Sequence, residues 1–188
     1  MKNSTKVLIV IGIIVLVIAF ACGGTYNSLV NKKEEVDSAL SNIDVQLERR
    51  ADLIPNLVNS VKGYMSHEQS IIDSVTTARE HLVNASNVED KAAANQELTT
   101  ALNNLFVIVE NYPELKSNTN FISLQDELAG TENRIGTSRR DYNNAVKEYN
   151  KAVKTFPTNL IAGMLGFDEV SYFEASEGSS EVPNVSFE

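Results

Sequence analysis

Apolar and polar positions along the chain follow a helical rhythm almost throughout. Val7 to Ala21 reads VLIVIGIIVLVIAFA, and the uncharged run continues to Tyr26. At 1.5 Å per residue its 20 residues span about 30 Å, the hydrocarbon thickness of a bilayer. The run predicts a membrane-spanning helix with Tyr26 at one interface, where amphipathic rings are favoured. Beyond it Leu29, Val36, Leu40, Ile43 and Leu47 recur at steps of three and four, with Lys33 in the one missing slot. Glu34, Glu35, Asp37, Asp44 and Glu48 lie off this stripe. The pattern predicts a first amphipathic helix of coiled-coil character.

Asp52-Leu53-Ile54-Pro55 reads as a break, because proline fits a first helical turn and Asp52 can cap it. A second helix is expected along Ile54, Leu57, Val61, Tyr64, Ile71, Val75, Ala78 and Leu82, with Glu68 in one slot and an end near Asn84–Asn87. A third begins around Val88 or Glu89, follows Leu98, Leu102, Leu105, Val109 and Tyr112, and stops at Pro113. Ser117–Asn120 is turn-like and supplies caps for a fourth. That helix keeps its register over eleven positions, from Phe121 through Leu124, Leu128, Thr131, Ile135, Ser138, Tyr142, Ala145, Tyr149 and Ala152 to Phe156. Pro157 ends it, and Asn159–Gly163 adds a short helical turn.

Short connections favour antiparallel neighbours. The expected architecture is all-α: an N-terminal transmembrane helix (residues 1–26), an antiparallel four-helix bundle with long helices (27–167), and an acidic tail (168–188). The tail holds six acids and no basic residue, with Gly178-Ser179-Ser180 inside it, and reads as mobile. Nine Gly and four Pro among 188 residues argue against a many-turned β-sandwich.

Charge sharpens the picture. The 16 Lys and Arg include Lys2 and Lys6, so 14 basic residues face 25 acids beyond the apolar run, a net of −11. A domain this acidic gains nothing from phosphate backbones, so nucleic acid is not an expected partner. It is also repelled by anionic lipid, which leaves the anchor to hold it at a membrane. The single cysteine, Cys22, excludes an intrachain disulfide. Two other readings of the N-terminus remain. One is a signal peptide cleaved after Ala19-Phe20-Ala21. The other is a lipoprotein signal with Cys22 acylated, although Ala19 stands where such signals usually carry Leu. The uncleaved helix is favoured, because the run is long for a signal segment and helical register continues beyond it.

Several segments in order resemble the LemA family of bacterial membrane proteins. They are Tyr26-Asn27-Ser28-Leu29-Val30, the stretch from Val45 to Val58 (VQLERRADLIPNLV) and Val61-Lys62-Gly63-Tyr64. Tyr112-Pro113-Glu114-Leu115-Lys116, Thr131–Ile135, Asp141-Tyr142-Asn143 and Phe156–Gly163 follow downstream. The resemblance implies one N-terminal transmembrane helix and a mostly helical bundle, and no established enzymatic activity, cofactor or substrate.

The residues that could carry chemistry are few. His67-Glu68 has metal-ligand types, but a metalloprotease helix needs a second His four residues after the first, and Ile71 stands there. His81 is fourteen residues on, roughly 21 Å along a helix. Glu68, on the stripe, calls for a partner, with Arg49, Arg134 and Arg139 as candidates. A di-metal carboxylate site from Glu68, Glu110 and Glu132 lacks the Glu-x-x-His motif such bundles use. Arg49-Arg50-Ala51-Asp52 could hold an anion, but pairing with acids and with the end of the first helix is favoured. No catalytic, cofactor or metal residue is expected, and no cofactor.

The expected function is a non-catalytic, single-pass scaffold or interaction protein of the bacterial inner membrane, forming homo-oligomers and contacting lipid and a protein partner of unknown identity. The alternative is a sensor binding a peptide or small ligand between helices. Lys2 and Lys6 on one side of the anchor nearly balance Lys32 and Lys33 on the other, with a lean to an extracytoplasmic bundle.

Overall fold

The computed structural model describes residues 2–65 and 67–174. Among these, every regular element is a helix: α1 (Lys2–Lys62), α2 (Gln69–Asn84), α3 (Val88–Val109), α4 (Pro113–Lys116), α5 (Thr119–Lys154) and α6 (Thr158–Leu165). Among the described residues α1 is the one helix long and apolar enough to cross a membrane, and the side chains described in its apolar stretch are unburied.

The break expected at Asp52–Pro55 does not occur. α1 runs through Pro55 to Lys62, and the interruption falls at Gly63–Glu68 instead. A proline inside a helix removes the amide that would donate to the carbonyl four residues back, here Ala51. Ala51 is buried, so water cannot serve that oxygen. Arg79 of α2 does: its Nε–H donates to the Ala51 carbonyl at 2.8 Å. The helix survives its proline because a neighbouring side chain supplies the lost donor.

This arrangement yields an expected result. Arg79→Met should leave a buried carbonyl unpaired, at about 1–3 kcal/mol. Adding Pro55→Ala restores the backbone donor and should recover most of that loss. Urea unfolding of the four members of this cycle in mild detergent measures the coupling. Strict additivity would separate Arg79 from the proline.

Within α2 three of the four expected stripe positions hold and one shifts, at the first turn. Ile72, Val75, Ala78 and Leu82 are buried, Ile71 is only half-buried and Tyr64 is exposed. α3 begins where expected, with Asn87 Oδ1 accepting from the Asp90 amide at 2.7 Å. The expected cap before α5 is Asn118, whose Oδ1 accepts from the amides of Asn120 and Phe121.

The chain divides into two compact units, to both of which α1 and α5 contribute. One combines the residues up to Ala39 with Tyr142–Val170; the other combines Leu40–Asp141 with the segment starting at Ser171. In the second, α2 packs on α3, and the buried apolar set includes Ile43, Ile54, Leu57, Leu98, Leu105 and Ile135. Phe106 meets Phe121 edge to face at 6.2 Å. In the first, Leu29 and Val36 of α1 are buried, as are Tyr142, Val146 and Tyr149 of α5 and Ala162 of α6.

The α5 stripe is buried at Phe121, Leu128, Thr131, Ile135, Tyr142 and Tyr149. It fails at its last member. Phe156 lies past the end of α5 and is 75% exposed.

Residues 168–174, read from sequence as the start of a mobile tail, are tied down. Asn150 brackets Val170, donating from Nδ2 to its carbonyl at 2.8 Å and accepting from its amide at 2.9 Å. The Tyr149 hydroxyl donates to the Asp168 carbonyl at 3.0 Å. Within the other unit, Phe173 is buried and Arg139 stacks over its ring at 5.0 Å. The rest of the expected tail, 175–188, lies outside the described residues.

Candidate functional site

Two features of the second unit concentrate polar groups. The first is a cleft of about 350 Å³ bounded by α1, α2 and α3. Asp44, Glu48 and Asp52, four apart on α1, form an acidic row on one wall, and Arg79 and Lys91 stand among the lining residues opposite in charge. Leu47, Ala51, Leu82 and Val83 supply its apolar surface. Lys91 Nζ pairs with Asp44 Oδ1 at 2.7 Å, and Arg79 is engaged with the Ala51 carbonyl. Glu48 and Asp52 therefore carry most of the uncompensated charge. The lining holds no His, Cys, Ser or Thr. The cleft offers charge and shape, suited to holding a small cationic group and not to activating a nucleophile.

The second feature is Arg50, whose side chain is 3% exposed. Its Nη1 donates to Asn95 Oδ1 at 2.5 Å and its Nη2 to Thr99 Oγ1 at 3.0 Å, both on α3. Glu132 Oε2 of α5 lies 2.6 Å from Nη1 but accepts no hydrogen bond, so that contact is coulombic. Burial lowers the Arg50 pKa, and the Glu132 charge opposes the shift. Arginine titrates so far above neutrality that the guanidinium stays charged. One side chain of α1 thus holds α3 by donors in fixed directions and attracts a carboxylate of α5 by charge, and Asn95 is itself buried.

The residues singled out from sequence are distributed among separate contacts. Glu68 meets none of the expected arginines; its Oε1 accepts from the Tyr112 hydroxyl at 3.3 Å. Arg49 pairs with Glu127 at 2.9 Å, Arg139 stacks on Phe173, and Arg134 lies along Gly130. The expected pairing of the two arginines with acids holds for Arg49 and Arg50, but the end of α1 is not near them. Glu110 is bound to Lys116 at 2.5 Å and Glu132 to Arg50. His67 is exposed, and His81 Nδ1 lies 2.8 Å from Glu97. Among the described residues, no group of three His, Cys, Asp or Glu side chains could hold a metal ion. Cys22 is half-buried and free.

The Tyr112–Glu68 contact has a pH signature. Burial, followed by the charge and hydrogen bond of Glu68, raises the Tyr112 pKa. A phenol whose pKa rises on folding contributes stability that is complete below its unfolded value, near 10, and lost as pH climbs through the folded value. Tyr112→Phe should therefore flatten the alkaline limb of the stability curve and leave its slope near neutrality unchanged. Urea midpoints from pH 8 to 11 test this, and parallel alkaline limbs would remove Tyr112 from the account.

The LemA family model matches residues 39–187. Magnetosome protein MamQ 2 of Paramagnetospirillum magneticum is 27% identical over 175 residues, covering 79% of this chain and 64% of that protein. Magnetosome protein MamQ of Magnetospirillum gryphiswaldense is 26% identical, with the same coverage of each. Protein LemA of Metamycoplasma hominis is 30% identical over 163 residues, covering 84% of this chain and 73% of its own. The chain thus spans less than two thirds of the length of the magnetosome relatives it matches.

Proposed function

The chain belongs to the LemA family, and from that premise we propose a non-catalytic, membrane-anchored interaction protein of the bacterial inner membrane that associates with copies of itself. The observation that carries this reading is α1. A single uninterrupted helix holds the 20-residue apolar run at one end and, at the other, supplies Ile43, Arg50, Ile54 and Leu57 to a folded core. An anchor joined this way to a packed domain presents that domain at the membrane surface and concentrates copies of it in one plane. The three-residue connection between α2 and α3 supports an antiparallel pair, and α1, α2, α3 and α5 together support a four-helix bundle in Leu40–Asp141.

Self-association has local support in the anchor. Ala19, Phe20, Gly23, Gly24 and Asn27 line a shallow groove, and a Cβ added at Gly23 or Gly24 would meet open space. Small residues four apart allow close approach of two helices in lipid. The net negative charge of each domain opposes association, but at physiological salt that repulsion decays over about 8 Å. Oligomers should therefore be more stable at moderate than at very low salt. Crosslinking in native membranes, with and without residues 7–26, is the test. A full-length chain that stays monomeric at native abundance removes this reading.

The cleft beside Asp44, Glu48 and Asp52 favours the second reading, a sensor for a small cationic ligand. Thermal stabilisation by polyamines or basic peptides, lost in Glu48→Gln/Asp52→Asn, would select it. For sidedness we favour an extracytoplasmic domain. Protease added to sealed, wall-free cells should then remove the tail, and survival of the tail until lysis would reverse the assignment.

A further inference from the structure

α6 inverts the usual pattern of a helix on a soluble domain. Its buried residue is the small Ala162, while Leu160 is 60% exposed and Met164 is 86% exposed. These two lie one turn apart on a single face. Leu165, at 51%, and Phe156, at 75%, flank them. Four large apolar side chains within ten residues are thus exposed. Isolated exposed leucines need no explanation, but a contiguous apolar surface does.

The position of this surface is fixed within its own unit. Gly166 adopts φ 76°, the left-handed conformation that closes a helix, and the Phe167 amide returns to the Ala162 carbonyl at 3.0 Å. That turn carries Phe167 against Tyr26, ring centroids 5.9 Å apart and edge to face. Tyr26 closes the uncharged run of α1, at the level where the hydrocarbon gives way to headgroups. With α1 as the anchor, the C-terminal end of α6 is placed at the height of the membrane surface.

Charge agrees. In residues 27–39 and 142–170, five lysines face six acids; in residues 40–141 and 171–188, nine basic residues face nineteen acids. The strong negative charge that would repel an anionic surface is absent from the part of the chain that holds α6.

We propose that α6 is a second membrane contact, an interfacial helix that seats Leu160, Met164, Leu165 and Phe156 in the lipid surface beside the anchor. The proposal rests on the anchored reading and deepens it: the unit that carries the anchor is held at two points, so that unit's orientation to the bilayer is set as well as its distance.

The test uses the full-length chain with Cys22→Ser, carrying a single cysteine at Ile13, Leu160, Met164 or Val107, labelled with an environment-sensitive fluorophore. Each is reconstituted in vesicles of three parts phosphatidylcholine to one part phosphatidylglycerol. Labels at 160 and 164 should show blue-shifted emission, quenching by lipid carrying a shallow nitroxide, and loss of quenching by aqueous iodide. Val107, 71% exposed in the other unit, should remain iodide-accessible. The label at Ile13 should respond to a deep nitroxide. Failure at Ile13 overturns the anchor itself. A lipid-embedded Ile13 with iodide-quenched 160 and 164 overturns the α6 proposal alone. Protection from both quenchers at 160 and 164, lost on dilution with excess lipid, also overturns it by assigning that face to a second copy.

Discussion

Arg50→Ala should destabilise the chain at the lower end of about 3–5 kcal/mol, the range for removing one partner from a buried pair. Three consequences add. Asn95, 2% exposed, loses a donor that water cannot replace. Thr99 loses the second. The aliphatic stem leaves a void between α1 and α3. Glu132 moderates the cost, because its side chain is 39% exposed and solvent takes up part of the stranded charge. Arg50→Lys should fall between alanine and wild type, since an ammonium keeps the charge but cannot reach Asn95 and Thr99 in the directions the guanidinium does. Urea unfolding in mild detergent reads all three, and an alanine variant with a wild-type midpoint would show that the contacts around Arg50 are energetically idle.

Ile135→Ala is expected to cost about 2–5 kcal/mol, the transfer free energy of the lost methyl groups plus the cavity they leave. Ile135 is fully buried near the middle of α5. Thr137, two residues on and exposed, bonds only within its own helix, its hydroxyl donating to the Asn133 carbonyl and accepting from Arg140 Nη2, and Thr137→Ala serves as the near-neutral surface reference. Equal midpoints for the two variants would mean that the repeating stripe of α5 is not the surface on which the domain is built.

The difference between α5 and α1 shows where periodicity suffices as a guide. α5 contains no proline, and its spacing of three and four led directly to Phe121, Leu128, Ile135, Tyr142 and Tyr149 as buried positions. In α1 the same spacing runs on through Ile43, Leu47, Arg50, Ile54, Leu57 and Val61. Stopping the helix at Pro55 hid the fact that Arg50 occupies a core position. Had the stripe been followed through the proline, a charged residue at one of its slots would have announced a buried polar contact. What no local reading could supply is the donor from Arg79, which is 28 residues away in sequence.

The candidate residues divide along the same line. Glu68 was legible as a stripe carboxylate in need of a partner, but its partner is a tyrosine hydroxyl, not a guanidinium, and the candidate arginines are engaged elsewhere, Arg49 with Glu127 and Arg139 over Phe173. Phe156 continued the numerical stripe but not the helix. The anchorage of 168–170 was illegible, since it depends on amide and hydroxyl groups of Tyr149 and Asn150 meeting backbone that has no periodicity.

Pro55 has a consequence in time. The ribosome adds roughly 5–20 residues per second. Ala51 and Pro55 are therefore made some seconds before Arg79, which follows Ala51 by 28 residues. Until Arg79 is in place, the Ala51 carbonyl near the distal end of the helix has no donor within the chain. Once α2 has been made, the guanidinium closes the gap, and the last turns of α1 become permanent only as α2 docks. The proline thus sets an order of events: the end of the first helix waits for the second.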